Sequence, residues 1–227
     1  MSGLEHREGR AELITSLYQT FARYAVKLPM HGCFCCVSAE RHSSIHGPLR
    51  ELSAEALSLY SAKAMSTWGG VEDYKHFIPR ILELLGSGDA ASYHGFSVWL
   101  VAGKLDYAGW GTWRPEEQAL IKQYFHELWL AFLDGDTTTL SAIEMIDAIR
   151  ALGEDIAPWL AYWDPARLGH AERLAEAVLY CPTRSHKEFR GWLLAPERLR
   201  ALEASFEAHL DTPQADLIAE AIDRISQ

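Results

Sequence analysis

Apolar residues recur along most of the chain at spacings of three and four. Over 11–26 the set Leu13, Ile14, Leu17, Phe21 and Tyr24 forms such a stripe, which predicts an amphipathic helix. The next pattern spans 49–65, with Leu52, Leu57, Leu59, Tyr60 and Ala64 apolar and Ser53 ahead of Glu55 as a helix-compatible start. A third covers 71–85, bracketed by Gly69-Gly70 and by Gly86 and Gly88; Pro79 inside it predicts a kink or a break. Pro115, Glu116 and Glu117 then open a pattern that reaches Leu133, since proline suits a first helical turn and the acids complement the helix dipole. Asp136 and Thr137 to Thr139 offer caps for a helix over 140–152, which Gly153 closes. Further helical patterns occupy 155–162, 165–180, 185–194, 196–210 and 213–225. Asp164-Pro165, Ala195-Pro196 and Thr212-Pro213 mark three of their starts.

Residues 86–115 interrupt this regularity. They hold Gly86, Gly88, Gly95, Gly103, Gly109 and Gly111 together with Tyr93, Phe96, Trp99, Tyr107, Trp110 and Trp113. The apolar run 96–105 suits a short buried helix and an isolated strand equally well. About ten helices with short connections predict an all-α fold: one helical domain over 1–227, packed as antiparallel pairs in the manner of helical repeats, with 86–115 as an irregular segment.

Composition narrows the class. The chain has 227 residues, 48% of them hydrophobic and 23% charged, as in an ordinary globular protein. Lys and Arg number 21 against 31 Asp and Glu, a formal charge of −10. Residues 1–50 carry six basic and four acidic side chains, a balance of +2, so 51–227 carry −12. An acidic body repels phosphate backbones, and no basic stripe with interleaved aromatics is present, so nucleic acid is not the expected partner. A protein with a basic surface is, because complementary charge speeds encounter. No run of 18 apolar residues occurs and the first ten residues lack an apolar leader segment, so neither a membrane span nor export is expected. Three of the four cysteines crowd together, unlike a disulfide framework, which points to the cytoplasm.

The crowded stretch is His31-Gly-Cys33-Phe-Cys35-Cys36, followed by His42 and His46. Zinc takes thiolates and imidazoles in a tetrahedron. On an extended segment Cys33 and Cys35 would project to one side and share an ion, with His31, Cys36, His42 and His46 as candidates for the remaining ligands. The familiar arrangement has two matched pairs rather than one cluster, and Cys181, near His170 and His186, is a distant candidate to close it. Packing as small hydrophobes with Phe34 and Val37, or a redox pairing among the thiols, are the competing readings.

Two further groups hold polar and aromatic candidates for an interaction surface or pocket. In the first, Trp68 precedes Asp73, Lys75, His76 and Arg80, of which Asp73, His76 and Arg80 share a helical face. A carboxylate beside an imidazole can orient a general base, but no activated nucleophile lies nearby, so a structural network is expected. In the second, Lys104, Tyr107, Trp110 and Trp113 lie among glycines, where aromatics frame a ligand pocket, a binding hot spot or a core wedge. Gly103-Lys104 lacks the rest of a phosphate loop, and Gly95-Phe-Ser97 lacks the final glycine of a nucleophile elbow.

Cys33-x-Cys35-Cys36, Pro48 to Leu52, Thr67-Trp68-Gly69, Asp73-Tyr-Lys-His-Phe-x-Pro-Arg80 and Gly103-Lys-Leu-x-Tyr-Ala-Gly-Trp110 occur in that order. Over roughly 30–165 the chain resembles a group of uncharacterised bacterial proteins. The resemblance implies a bacterial cytosolic protein and no particular reaction. The expected function is therefore a non-catalytic interaction module, specifically an immunity or antidote protein for a basic bacterial toxin. The alternative is a zinc-dependent or redox enzyme centred on Cys33 to Cys36.

Overall fold

A computed structural model describes residues 3–26, 30–33, 35–88, 92–136, 140–181 and 186–226, with the backbone alone for 3–8. It is all-α. Among the described residues there are twelve α-helices and no strand, only isolated bridges. The helices are α1 (Gly3–Phe21), α2 (Ala39–Ser44), α3 (Ala54–Lys63), α4 (Val71–Ser87), α5 (Val98–Tyr107), α6 (Pro115–Leu133), α7 (Ala142–Ala151), α8 (Ala157–Leu160), α9 (Leu168–Tyr180), α10 (Lys187–Leu193), α11 (Pro196–Ala208) and α12 (Ala215–Ser226). Among the described residues no helix is long and apolar enough to cross a membrane.

Local chemistry explains most boundaries. Ser53 accepts from Ala56 N–H at the start of α3. Gly70 and Gly88 flank α4, Gly88 in the left-handed region at φ 77°. Pro79, expected to kink or break that helix, lies buried inside an element assigned without interruption. The ambiguous run 96–105 resolves as α5, with short 3-10 turns at His94–Phe96 and Trp110–Thr112 on either side. Helix α1 stops at Phe21, so Tyr24 lies beyond it. The caps expected at Thr137 to Thr139 lie outside the described residues. Ser141 begins α7 instead, its hydroxyl accepting from Glu144 N–H while Glu144 Oε2 accepts from Ser141 N–H. The start expected at Ser185 likewise lies outside the described residues.

The chain divides into two compact units. Unit 1 comprises Met1–Leu128 with Ala151–Gly153, and unit 2 comprises Trp129–Arg150 with Glu154–Gln227. In unit 1, α1 packs on α4, and α3 on the His94–Phe96 turn. A Cβ at Gly95 would sit 2.0 Å from the Ser58 carbonyl oxygen, so only glycine lets this turn lie against the α3 backbone. Ser61 Oγ donates to Gly95 O at 2.5 Å across the same contact. Lys75 and Glu117 are buried together, 3.4 Å apart. Tyr24 OH donates to Glu117 and accepts from Lys75 Nζ, whose ammonium lies 4.5 Å from the Trp113 ring centre.

Unit 2 is built around aromatic side chains. Trp163 meets Trp129 edge-on at 5.5 Å and lies 6.2 Å from Phe189, close to parallel. Trp163 Nε1 donates to His170 O at 2.8 Å, and Trp129 Nε1 to Trp159 O at 3.0 Å, so these two buried indole N–H groups are satisfied. Helix α12 packs on both α9 and α11, giving its strongly amphipathic sequence a core to face.

Candidate thiolate metal site

The cysteine stretch is a turn pinned to the helical body of unit 1. His31 O accepts from Gly69 N–H at 2.7 Å and Cys33 N–H donates to Thr67 O at 2.9 Å, which ties 31–33 to 67–69. Close approach requires Gly32: a Cβ there would lie 2.7 Å from a His42 ring carbon and 3.3 Å from Thr67 O. Cys33 O then accepts from both Cys36 N–H and Val37 N–H at 2.9 Å, which closes the turn. Val37 is buried, and Ser38 caps the short helix α2 by accepting from Arg41 N–H. That helix carries the buried His42 ring to 4.8 Å from Trp68, which meets Tyr60 edge-on at 5.4 Å. An aromatic floor thus holds both ends of the turn.

The turn brings the thiols together in a way an extended segment does not. Cys35 Sγ lies 2.6 Å from Cys33 Sγ and 3.7 Å from Cys36 Sγ, and all three sulfurs lie within 4.8 Å of one another. Cys33 is half-buried, while Cys35 and Cys36 are exposed. Such a group could hold a metal ion, since three soft donors converge on one point. The expectation of an extended segment is therefore corrected: hydrogen bonds to the Cys33 carbonyl curl the chain. His31 and Cys181 do not belong to this group among the described residues. Phe34 lies outside the described residues.

Mutual contact separates Cys33 from Cys35. Contact with the Cys35 thiol holds Cys33 down at about 7, with Cys36 adding in the same direction. The same contact pushes Cys35 up to about 11. Of this pair, Cys33 therefore loses its proton before Cys35.

The other predicted residues occupy separate places. Trp68 belongs to the aromatic floor and is buried. Asp73 Oδ2 accepts from Gly70 N–H at 2.8 Å and caps α4. His76 Nδ1 lies 2.8 Å from Tyr24 O, so this nitrogen carries the proton it donates. Arg80 donates to Leu52 O and to Glu83. Trp110 and Trp113 are buried, Trp113 Nε1 donating to Ala108 O. Lys104 and Tyr107 line an open groove with Ser66, Trp99, Leu100 and Gly103.

Sequence reasoning missed Glu117, whose place near a helix start suggested only a dipole role, and Trp99, which stood in an apolar run. One signal was present for the groove. Trp99, Gly103 and Tyr107 recur at intervals of four, which sets two aromatics about a gap on one helical face. Compared with known proteins, the chain matches no family model, no curated protein and no solved structure.

Proposed function

We propose that the protein binds one soft metal ion, zinc in the first instance, at Cys33, Cys35 and Cys36, and that it acts by binding rather than by catalysis. The observation that carries this reading is the convergence of three sulfurs within 4.8 Å on a turn anchored at both ends. Three thiolates are one donor fewer than a closed structural zinc site uses, so water or a partner supplies the fourth. The groups that shift Cys33 and Cys35 most are neighbours within the cluster itself. Free thiols suit a reducing compartment such as the cytoplasm.

Metal analysis of the purified chain and of the Cys33→Ser/Cys35→Ser variant tests the proposal. We expect about one zinc per wild-type chain and none in the variant, with a melting temperature that drops in chelator for the wild type only. Metal-free wild type with a melt indifferent to chelator would sink it. Rapid disulfide formation among the three thiols would then favour the redox alternative.

Surface charge favours a second reading, an antidote-type module for a basic toxin protein. Glu203 and Glu207 on α11 and Asp216, Glu220 and Asp223 on α12 are exposed, each set at helical spacing. Exposed Leu210 and Asp211 stand at the turn between those helices. A basic protein captured from the native host at low salt should be lost by Glu203→Lys/Glu207→Lys/Glu220→Lys. Capture that ignores these substitutions, or no capture at any salt, would remove this reading.

A further inference from the structure

The groove in unit 1 has a composition unlike the acidic surface elsewhere. Trp99 and Tyr107 are exposed to 44% and 68%, rare for side chains of their size, and they flank Gly103. A Cβ at Gly103 would meet nothing within 4 Å, so the space between the rings is open. With Leu100 and Ser66 the walls enclose about 360 Å³, within the range of small-molecule sites. The groove is mostly apolar and has one charged anchor.

That anchor is Lys104. Its Nζ donates to Ala64 O at 2.8 Å and stands 6.0 Å from the Tyr107 ring centre. Among the described residues no carboxylate pairs with Lys104; the charge that acts on it is a second ammonium, Lys63. Burial and Lys63 both hold the Lys104 ammonium below its ordinary pKa. An ammonium has three donors, and one hydrogen bond leaves donors for an incoming anion. A ligand carboxylate would relieve the repulsion between the two lysines, and an attached ring would fill the gap between the aromatic walls.

We propose that the groove formed by Trp99, Gly103, Lys104 and Tyr107 binds a small aromatic carboxylate. The acid group lies toward Lys104, and the ring lies against Trp99 and Tyr107. This site is independent of the cysteine turn and of the acidic hairpin, so its fate does not depend on theirs.

Titration calorimetry of the full chain with indole-3-acetate, indole and tryptamine tests it. Indole-3-acetate should bind saturably with a Kd of about 1 mM or tighter, the range its size allows. Indole, which lacks the acid, should bind at least about tenfold more weakly, and tryptamine, which carries the opposite charge, should not saturate. Lys104→Met should weaken indole-3-acetate at least about tenfold, while Lys104→Arg keeps most of the affinity. The wild-type comparison of the three probes needs no variant, so it stands if Lys104→Met misfolds. Absence of saturable indole-3-acetate binding up to about 10 mM, or equal affinity for all three probes, overturns the proposal.

Discussion

The two units are both helical with largely apolar interiors, and each adds a different feature to that interior. Unit 1 buries an ion pair: Glu117 is fully inside, Lys75 nearly so, and Tyr24 and Trp113 surround the ammonium. Unit 2 buries indoles, with Trp163 central to Trp129, Phe132, Phe189 and Trp192. Its buried imidazole at His170 is wired as the neutral form, because Nδ1 accepts from Asp164 N–H while Nε2 faces Asp134 Oδ1 at 2.9 Å. An ion pair in a core is conditional, since each charge is tolerable only while the other is present. An aromatic core carries no such condition, but its stability depends on volume. The candidate chemistry, cysteine turn and groove alike, lies in unit 1, where backbone hydrogen bonds and the aromatic floor of His42, Trp68 and Tyr60 fix the turn.

The comparison can be broken most forcefully at Trp163. Trp163→Ala removes several ring contacts and an N–H donor at once, and should cost about 3–5 kcal/mol in chemical denaturation. A loss under about 1 kcal/mol would show that the aromatic cluster is not what holds unit 2. Glu117→Gln keeps the shape but strands the Lys75 charge, for an expected loss of about 3 kcal/mol. Restoring neutrality with Lys75→Met in the same chain should recover part of that loss, and no recovery would contradict the ion-pair account. Gly95→Ala pushes a methyl into the Ser58 backbone, so a loss of about 2 kcal/mol is expected in unit 1 from crowding alone.

Smaller effects sharpen the contrast through pH. Burial holds the His170 pKa below its ordinary 6.5, aided by Arg167 and opposed by Asp134. The unfolded chain therefore binds the proton more readily than the folded one, and stability falls as pH drops through about 6.5. Melting curves of wild type and His170→Gln from pH 8 to 5 should diverge in that sense; parallel curves would refute the assignment. In unit 1, the metal-free chain should show one thiol whose alkylation by iodoacetamide has a midpoint near pH 7, set by the Cys35 contact. Cys35→Ala should move that midpoint up toward the ordinary 9. A wild-type midpoint already at that value would show the thiols to be independent.

Helical periodicity and end signals marked most of the elements in advance. Helix α6 coincides with its proline-and-acid start and its apolar run, and Gly70 and Gly88 flank α4 as glycines were expected to. These are local choices, governed by capping, dihedral freedom and the period of one face, and the chain carries them without reference to distant residues. Helix α2 escaped notice because its six residues hold one polar cap and no apolar stripe.

The amino-acid sequence alone determined that this protein is helical, acidic and equipped with a knot of cysteines, because propensity, net charge and residue proximity are all local quantities. Only the tertiary structure decided that Gly95 abuts α3, that Glu117 goes inside to meet Lys75, and that Trp68 and Trp113 are buried while Trp99 and Tyr107 stay out. It also decided that the Cys33 to Cys36 segment curls until three sulfurs converge. Each of these depends on pairs of residues far apart in the chain, whose meeting is settled by packing and desolvation across elements, and no periodicity within one element records it.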